Sequence, residues 1–131
     1  MIYLGGAMTG LAGSDKKLWR IMATEFFRNR HIEVWDPVVN ALPDDNPAAI
    51  IERDLSALDN CKINFVNAHW PSWGTAMEVF YFARTLDRPN VVFHPNPNAA
   101  SAWLKHHAET LTSDFDEALD WAAHLYHKAV E

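Results

Sequence analysis

The sequence predicts a single-domain α/β protein with a flavodoxin- or Rossmann-like three-layer fold and a mostly parallel sheet of four to five strands. Two observations carry that expectation. Short apolar runs of strand length alternate with longer segments whose apolar residues recur at helical spacing. The links between those runs are mostly ten or more residues long, as right-handed crossovers between parallel strands require. A chain of 131 residues suits one domain, 1–131, and can bury roughly two-thirds of its unfolded surface.

The elements follow in order. Residues 2–5 form an apolar run that ends in Gly5-Gly6, a buried strand entering a tight turn. Ser14 or Asp15 is expected to cap a helix with Leu18, Trp19, Ile21, Met22, Phe26 and Phe27 along its apolar face. Ile32, Val34 and Trp35 suggest a second strand, stopped by Asp36-Pro37, and a loop rich in Pro, Asp and Asn covers 43–47. A helix from about Pro47 carries Ile50, Ile51, Leu55 and Leu58 on one face and ends at Asp59-Asn60. Residues 63–66 make the third strand. The aromatic loop 69–74, His-Trp-Pro-Ser-Trp-Gly, leads into a helix from about Thr75 to Leu86. Residues 91–93 give a fourth strand, 99–108 a short helix and 110–113 an edge strand. Phe115, Leu119, Ala122, Ala123, Leu125 and Tyr126 line a last helix.

Composition narrows the function. Hydrophobic residues at 49% against 21% charged describe a globular chain, and a net charge of −6 leaves no basic surplus for a nucleic acid backbone. A small anion remains a possible ligand, because a helix N-terminus holds a phosphate without a lysine. Cys61 is the sole cysteine, so no intramolecular disulfide forms, in keeping with a reducing compartment. No run approaches eighteen apolar residues and no secretory leader is read at the start, so the expected home is cytoplasmic, away from any membrane.

In open parallel sheets, ligands sit beyond the carboxyl ends of the strands, where the strand order switches. The loops at 5–10 and 67–75 both follow predicted strands and are expected to meet there. Just beyond the second lies Glu78, in the run Ala-Met-Glu-Val-Phe-Tyr-Phe-Ala, where every other side chain is apolar or aromatic. A carboxylate in such a buried helix needs a partner or a purpose. One reading is structural: Thr75-x-x-Glu78 fits a capping box. The other is catalytic, set by the Gly74 turn at the ligand-binding edge. Tyr3 is either a core aromatic or a phenol that orients a nearby carboxylate. Asp54 interrupts an amphipathic helix. Gly5-Gly6-Ala7-Met8-Thr9-Gly10 brings backbone close to something without matching a known phosphate loop, and Ser72 is either a helix cap or a phosphate donor. Asp120, His124 and His127 share a helical face, which a solvated helix end explains better than a metal site.

Three segments together resemble the nucleoside 2-deoxyribosyltransferase-like superfamily, which includes deoxyribosyltransferases and nucleoside 5′-monophosphate N-glycosidases. They are Ile-Tyr-Leu-Gly-Gly-Ala-Met-Thr-Gly at 2–10, Arg-Asp-Leu-Ser-Ala-Leu-Asp at 53–59 and Pro-Ser-Trp-Gly-Thr-Ala-Met-Glu at 71–78. The resemblance spans about residues 2–93, and residues 94–131 align with nothing. It implies that Glu78 is a nucleophile attacking the anomeric carbon, that Tyr3 orients it, and that Asp54 assists the leaving base or contacts the sugar. It implies a substrate site built from Gly5, Gly6, Met8, Thr9, Gly10, Ser72, Gly74 and Thr75, with no metal and no cofactor. The partner it implies is a small nucleoside or nucleotide, not a nucleic acid polymer, on a homo-oligomer. Ser72 stands six residues before Glu78, where transferases often carry an aspartate that reads the base. A serine there is closer to the monophosphate hydrolases, where it helps bind the 5′-phosphate. Phe80 replaces a usual small residue and is expected to narrow the pocket. The implied reaction is cleavage of an N-glycosidic bond with deoxyribosyl transfer to another base. The alternatives are hydrolysis of a nucleoside 5′-monophosphate to base and sugar phosphate, or an inactive nucleotide-binding module.

Overall fold

A computed structural model describes residues 1–41 and 46–131; positions 43–45 of the expected Pro- and Asp-rich loop lie outside the described residues. Its sheet has five strands, all parallel: β1 (Ile2–Gly6), β2 (Val34–Trp35), β3 (Ile63–Asn67), β4 (Asn90–Phe93) and β5 (Thr110–Thr112). Their spatial order is β2-β1-β3-β4-β5. The chain leaves β1 toward β2 on one side and returns to place β3 on the other, so the order switches between β1 and β3. Gly6 pairs with Asn67 at the carboxyl ends of those two strands, and the loops that follow them emerge side by side.

The helices are α1 (Gly13–Arg28), α2 (Pro47–Asp59), α3 (Trp73–Arg84), α4 (Ala102–His107) and α5 (Phe115–Ala129), with one turn of 3₁₀ helix at Pro97–Ala99. Strand alternation sorts the core into layers. Ile2, Leu4, Ile63, Phe65 and Val91 pack on Trp19, Ala23 and Phe27 of α1 and on Ala118, Leu119 and Ala122 of α5. Tyr3 faces the other way, among Ala57 and Leu58 of α2 and Phe82 of α3. Val66 and Val92 meet Val79 of α3, with Leu104 of α4 against them. Each fully buried aliphatic or aromatic side chain stabilises this arrangement by about 1.5–3 kcal/mol.

Four expectations need correction here. Neither Ser14 nor Asp15 caps α1; the helix begins at Gly13 behind Ala12, which makes no side-chain cap bond. The turn at Gly10, whose φ of +80° suits glycine, lets the chain enter the helix earlier. Leu18, Ile21 and Met22 are exposed, because the buried stripe of α1 is Trp19, Arg20, Ala23 and Phe27. Ile51 is likewise exposed, off the buried stripe of α2. Finally, α3 is not buried all round: Thr75, Val79 and Phe82 are buried, while Met77 and Phe80 face outward. Asp120, His124 and His127 are exposed on α5. No helix among the described residues is long and apolar enough to cross a membrane.

Candidate active site

The Tyr3 hydroxyl donates a hydrogen bond to Oε2 of Glu78, joining β1 to α3 directly beneath the switch point. The sequence sets this contact in two steps. Odd positions of β1 face α2 and α3, which sends Tyr3 to that side. Ser72 starts α3, its Oγ accepting from Thr75 N–H at 3.2 Å, and Glu78 stands six residues beyond that cap. A capping box needs its glutamate at the third helical position, which Thr75 occupies. The capping-box reading of Glu78 is therefore overturned, and Ser72 is the true cap.

Burial dominates the electrostatics. It pushes the Glu78 carboxyl from its ordinary 4.5 up to about 7; the Tyr3 hydrogen bond opposes this, the Asp54 charge adds to it, and Arg20 and Arg53 pull it back. The Tyr3 phenol is raised far above its ordinary range, by burial first and then by Glu78, so it keeps its proton and acts as a donor. Its ring stacks on Trp35 at 5.6 Å with 10° between planes, which fixes the direction of the hydroxyl. Asp54 comes from α2, and its Oδ1 accepts from Arg53 Nε at 3.1 Å and Nη2 at 2.9 Å. Arg53 is held in turn by the Asn40 carbonyl and lies 5.4 Å from the Trp35 ring centre. Tyr3, Asp54 and Glu78 thus share one electrostatic environment.

The remaining sequence-predicted residues spread around this centre. Gly5 is buried beneath it, and a side chain there would meet Asn64 Oδ1 at 3.0 Å. Gly6 is closed by packing: an added Cβ would come within 2.7 Å of the Trp19 ring. Met8 is half-buried, while Thr9 and Gly10 are exposed in the loop leading to α1. Ser72 and Thr75 lie at the start of α3 and border a different space, an open groove of about 830 Å³ between α3 and α4. Trp70, Trp73, Met77, Phe80, Trp103 and His107 line that groove, but Tyr3, Asp54 and Glu78 do not. No carboxylate lines that groove; Asp54 and Glu78 both lie outside it. Phe80 faces this groove, its ring 5.4 Å from His107, and does not narrow the space at Glu78 as expected; two helical residues apart means opposite faces. Trp73 is exposed, and the Tyr81 hydroxyl is engaged with Asp59. Among the described residues no group of three or more His, Cys, Asp or Glu is placed to hold a metal ion.

Sequence reasoning missed two polar features. Arg20 is fully buried in α1, bonded to Leu4, Gly6 and Asp36; its signal was a charge inside the run Leu-Trp-Arg-Ile-Met. Asn64 on β3 donates to Asn90 Oδ1 at 2.8 Å, and Asn90 donates to the Val79 and His107 carbonyls at 3.0 Å each. This buried link moors α3 to the sheet next to Glu78.

The fold matches solved structures, two of them 2-deoxyribosyltransferases. It superposes on a 2-deoxyribosyltransferase from Bacillus psychrosaccharolyticus with a TM-score of 0.74 and 19% identity, covering 91% of this chain and 90% of that one. For a 2-deoxyribosyltransferase from Leishmania mexicana the TM-score is 0.73 at 14% identity, with 94% and 96% covered. A conserved protein from Enterococcus faecalis gives 0.61 at 14% identity, with 92% and 86% covered. No family model and no curated protein sequence matches the chain. The chain has the 2-deoxyribosyltransferase fold, and the resemblance extends past residue 93 to nearly its whole length.

Proposed function

We propose that this protein cleaves the N-glycosidic bond of a deoxynucleoside or nucleoside 5′-monophosphate through Glu78 and transfers the deoxyribosyl group to another base. One observation carries the reading: a partly buried glutamate, hydrogen-bonded by a buried tyrosine, at the strand-order switch of this fold. The Tyr3 bond holds one carboxylate oxygen and aims the other at the anomeric carbon. Glu78 attacks as the bond to the base breaks, and the electron pair leaves on the base nitrogen, which takes up a proton. The product is a sugar ester on Glu78, and the incoming base displaces it in a second step. Asp54, gripped by Arg53, is suited to accept a hydrogen bond from a sugar hydroxyl. Ser72 accepts from its helix and still has its own proton to donate to a 5′-phosphate beside the start of α3. Met8, Thr9, Gly10 and Gly74 complete the site with backbone and small groups, while Gly5, Gly6 and Thr75 pack behind it. The reading includes a cytoplasmic setting, where free nucleotides are found.

It also includes a homo-oligomer. Trp73 and Trp103 are 86% and 72% exposed on the α3–α4 face, with Met77 and Phe80 between them. These four side chains present on the order of 600 Å² of apolar surface, most of the roughly 800 Å² that one partner contributes to a standard interface.

The test is chromatographic: nucleosides and 5′-monophosphates are incubated with the protein, and free base is measured with and without a second base. A new nucleoside formed only with the second base is the expected result. Free base and sugar phosphate without any acceptor would select hydrolysis instead. A 2′-fluoro-2′-deoxy analogue, which slows both steps, should leave an adduct on Glu78 detectable by intact mass. Inversion at the anomeric carbon would refute the ester and make Glu78 a general base.

A further inference from the structure

Arg20 is 1% exposed, in the middle of the buried stripe of α1. Burying a guanidinium costs several kcal/mol unless its donors are satisfied and its charge compensated. Here Nη1 donates to the Leu4 carbonyl at 2.8 Å and to Asp36 Oδ1 at 3.1 Å, and Nη2 donates to the Gly6 carbonyl at 3.0 Å, while the buried Nε has no partner among the described residues. The Trp19 ring lies 4.5 Å from the guanidinium carbon. Leu4 and Gly6 bracket Gly5 on the strand that carries Tyr3. The guanidinium therefore grips the carboxyl end of β1 from the α1 side, while Glu78 is bonded to the same strand from the α3 side.

We propose that Arg20, held by Asp36, is a positioning residue for the glycosyl transfer: it fixes the carboxyl end of the strand that carries Tyr3 and places a buried positive charge across that strand from Glu78. This rests on the reading of Glu78 as the nucleophile. The groups facing Glu78 are Tyr3 from β1, Arg53 and Asp54 from α2, and Arg20 from α1. Burial and Asp54 favour the protonated acid, which cannot attack; Tyr3, Arg20 and Arg53 favour the carboxylate. Arg53 is paired with Asp54 at its side, so much of its charge is answered locally. Arg20 is paired with Asp36, but Asp36 follows β2, on the far side of β1 from β3. Asp36 Oδ1 also accepts from Val38 N–H at 2.9 Å, which fixes it on that far side. The guanidinium is thus held on the backbone of β1, the strand whose Tyr3 bonds Glu78, while its counter-charge is held by the segment that follows β2. Deep burial leaves the guanidinium's field poorly screened by solvent.

The test reads the titration of Glu78 directly, by carbon NMR of labelled glutamate side chains, with the signal identified by its loss in Glu78→Gln. The double variant Arg20→Met/Asp36→Asn removes the pair without leaving a lone buried charge. It should titrate at higher pH than wild type. Asp36→Asn keeps the guanidinium and should titrate at lower pH. Arg20→Lys keeps the charge but cannot grip two carbonyls and Asp36 together; its titration should stay near that of wild type while kcat falls. A double variant that melts cooperatively with Glu78 titrating as in wild type would overturn the proposal. So would shifts of the same sign in the double variant and in Asp36→Asn. If the double variant does not fold, Asp36→Asn and Arg20→Lys decide the matter alone, and an unshifted Asp36→Asn refutes it. The titration requires no turnover, so a wild-type protein inactive on every nucleoside would retire the function while the Arg20 result still stood.

Discussion

Replacing Glu78 by glutamine keeps the shape of the side chain and an acceptor for the Tyr3 hydroxyl, but fixes the group in its uncharged form. The folded carboxyl has its pKa near 7 against an ordinary 4.5, raised chiefly by burial. A raised pKa means that the native state holds its proton more tightly than the unfolded state does. The resulting stability is fully present below about pH 4.5 and is lost as pH climbs from there through 7. At 1.36 kcal/mol per pH unit the full loss is at most about 3 kcal/mol, reduced by the solvent that reaches the half-buried carboxylate. Glutamine escapes the loss. Glu78→Gln should therefore match wild type near pH 4.5 and exceed it increasingly up to pH 7, with a constant advantage beyond. Urea denaturation followed by circular dichroism at pH 4.5, 5.5, 6.5, 7.5 and 8.5 gives the comparison. The same variant should release no base from any substrate. Gain of stability with loss of activity is the signature of a strained functional group. A stability difference independent of pH would refute the claim that burial of this carboxyl is costly.

Two further outcomes follow from the geometry. Ser72→Ala should destabilise the fold by about 1 kcal/mol through loss of the α3 cap, and should also weaken binding of a 5′-monophosphate by roughly ten- to a hundred-fold relative to its nucleoside, read by calorimetry. An equal effect on both ligands would restrict Ser72 to capping. Gly6→Ala should cost about 1–3 kcal/mol, because the new Cβ meets the Trp19 ring at 2.7 Å and Arg20 Nη2 at 3.3 Å; a variant as stable as wild type in thermal melts would show that α1 can shift away.

Much of the molecule is legible in the sequence alone. Strand runs at 2–5, 63–66 and 91–93 were visible because buried parallel strands are nearly continuous apolar runs, and Asn46-Pro47 marks the start of α2 by cap chemistry. The pairing of a phenol with a carboxylate was legible only because three motifs occurred in order. What sequence could not decide is which face of each helix the sheet would cover. Leu18, Ile21, Met77 and Phe80 have the composition of core residues but point outward, since burial depends on where the sheet lies and not on hydropathy. The same limit hid Arg20. Its neighbours along the chain mark it as a charge on a helix, while its partners Leu4, Gly6 and Asp36 are 14 to 16 residues away. Local pattern fixes the elements because backbone periodicity is a short-range property. The acidity of Glu78 is set by charges on β1, α1 and α2 and by the loss of water around them, and only the packed chain brings those together.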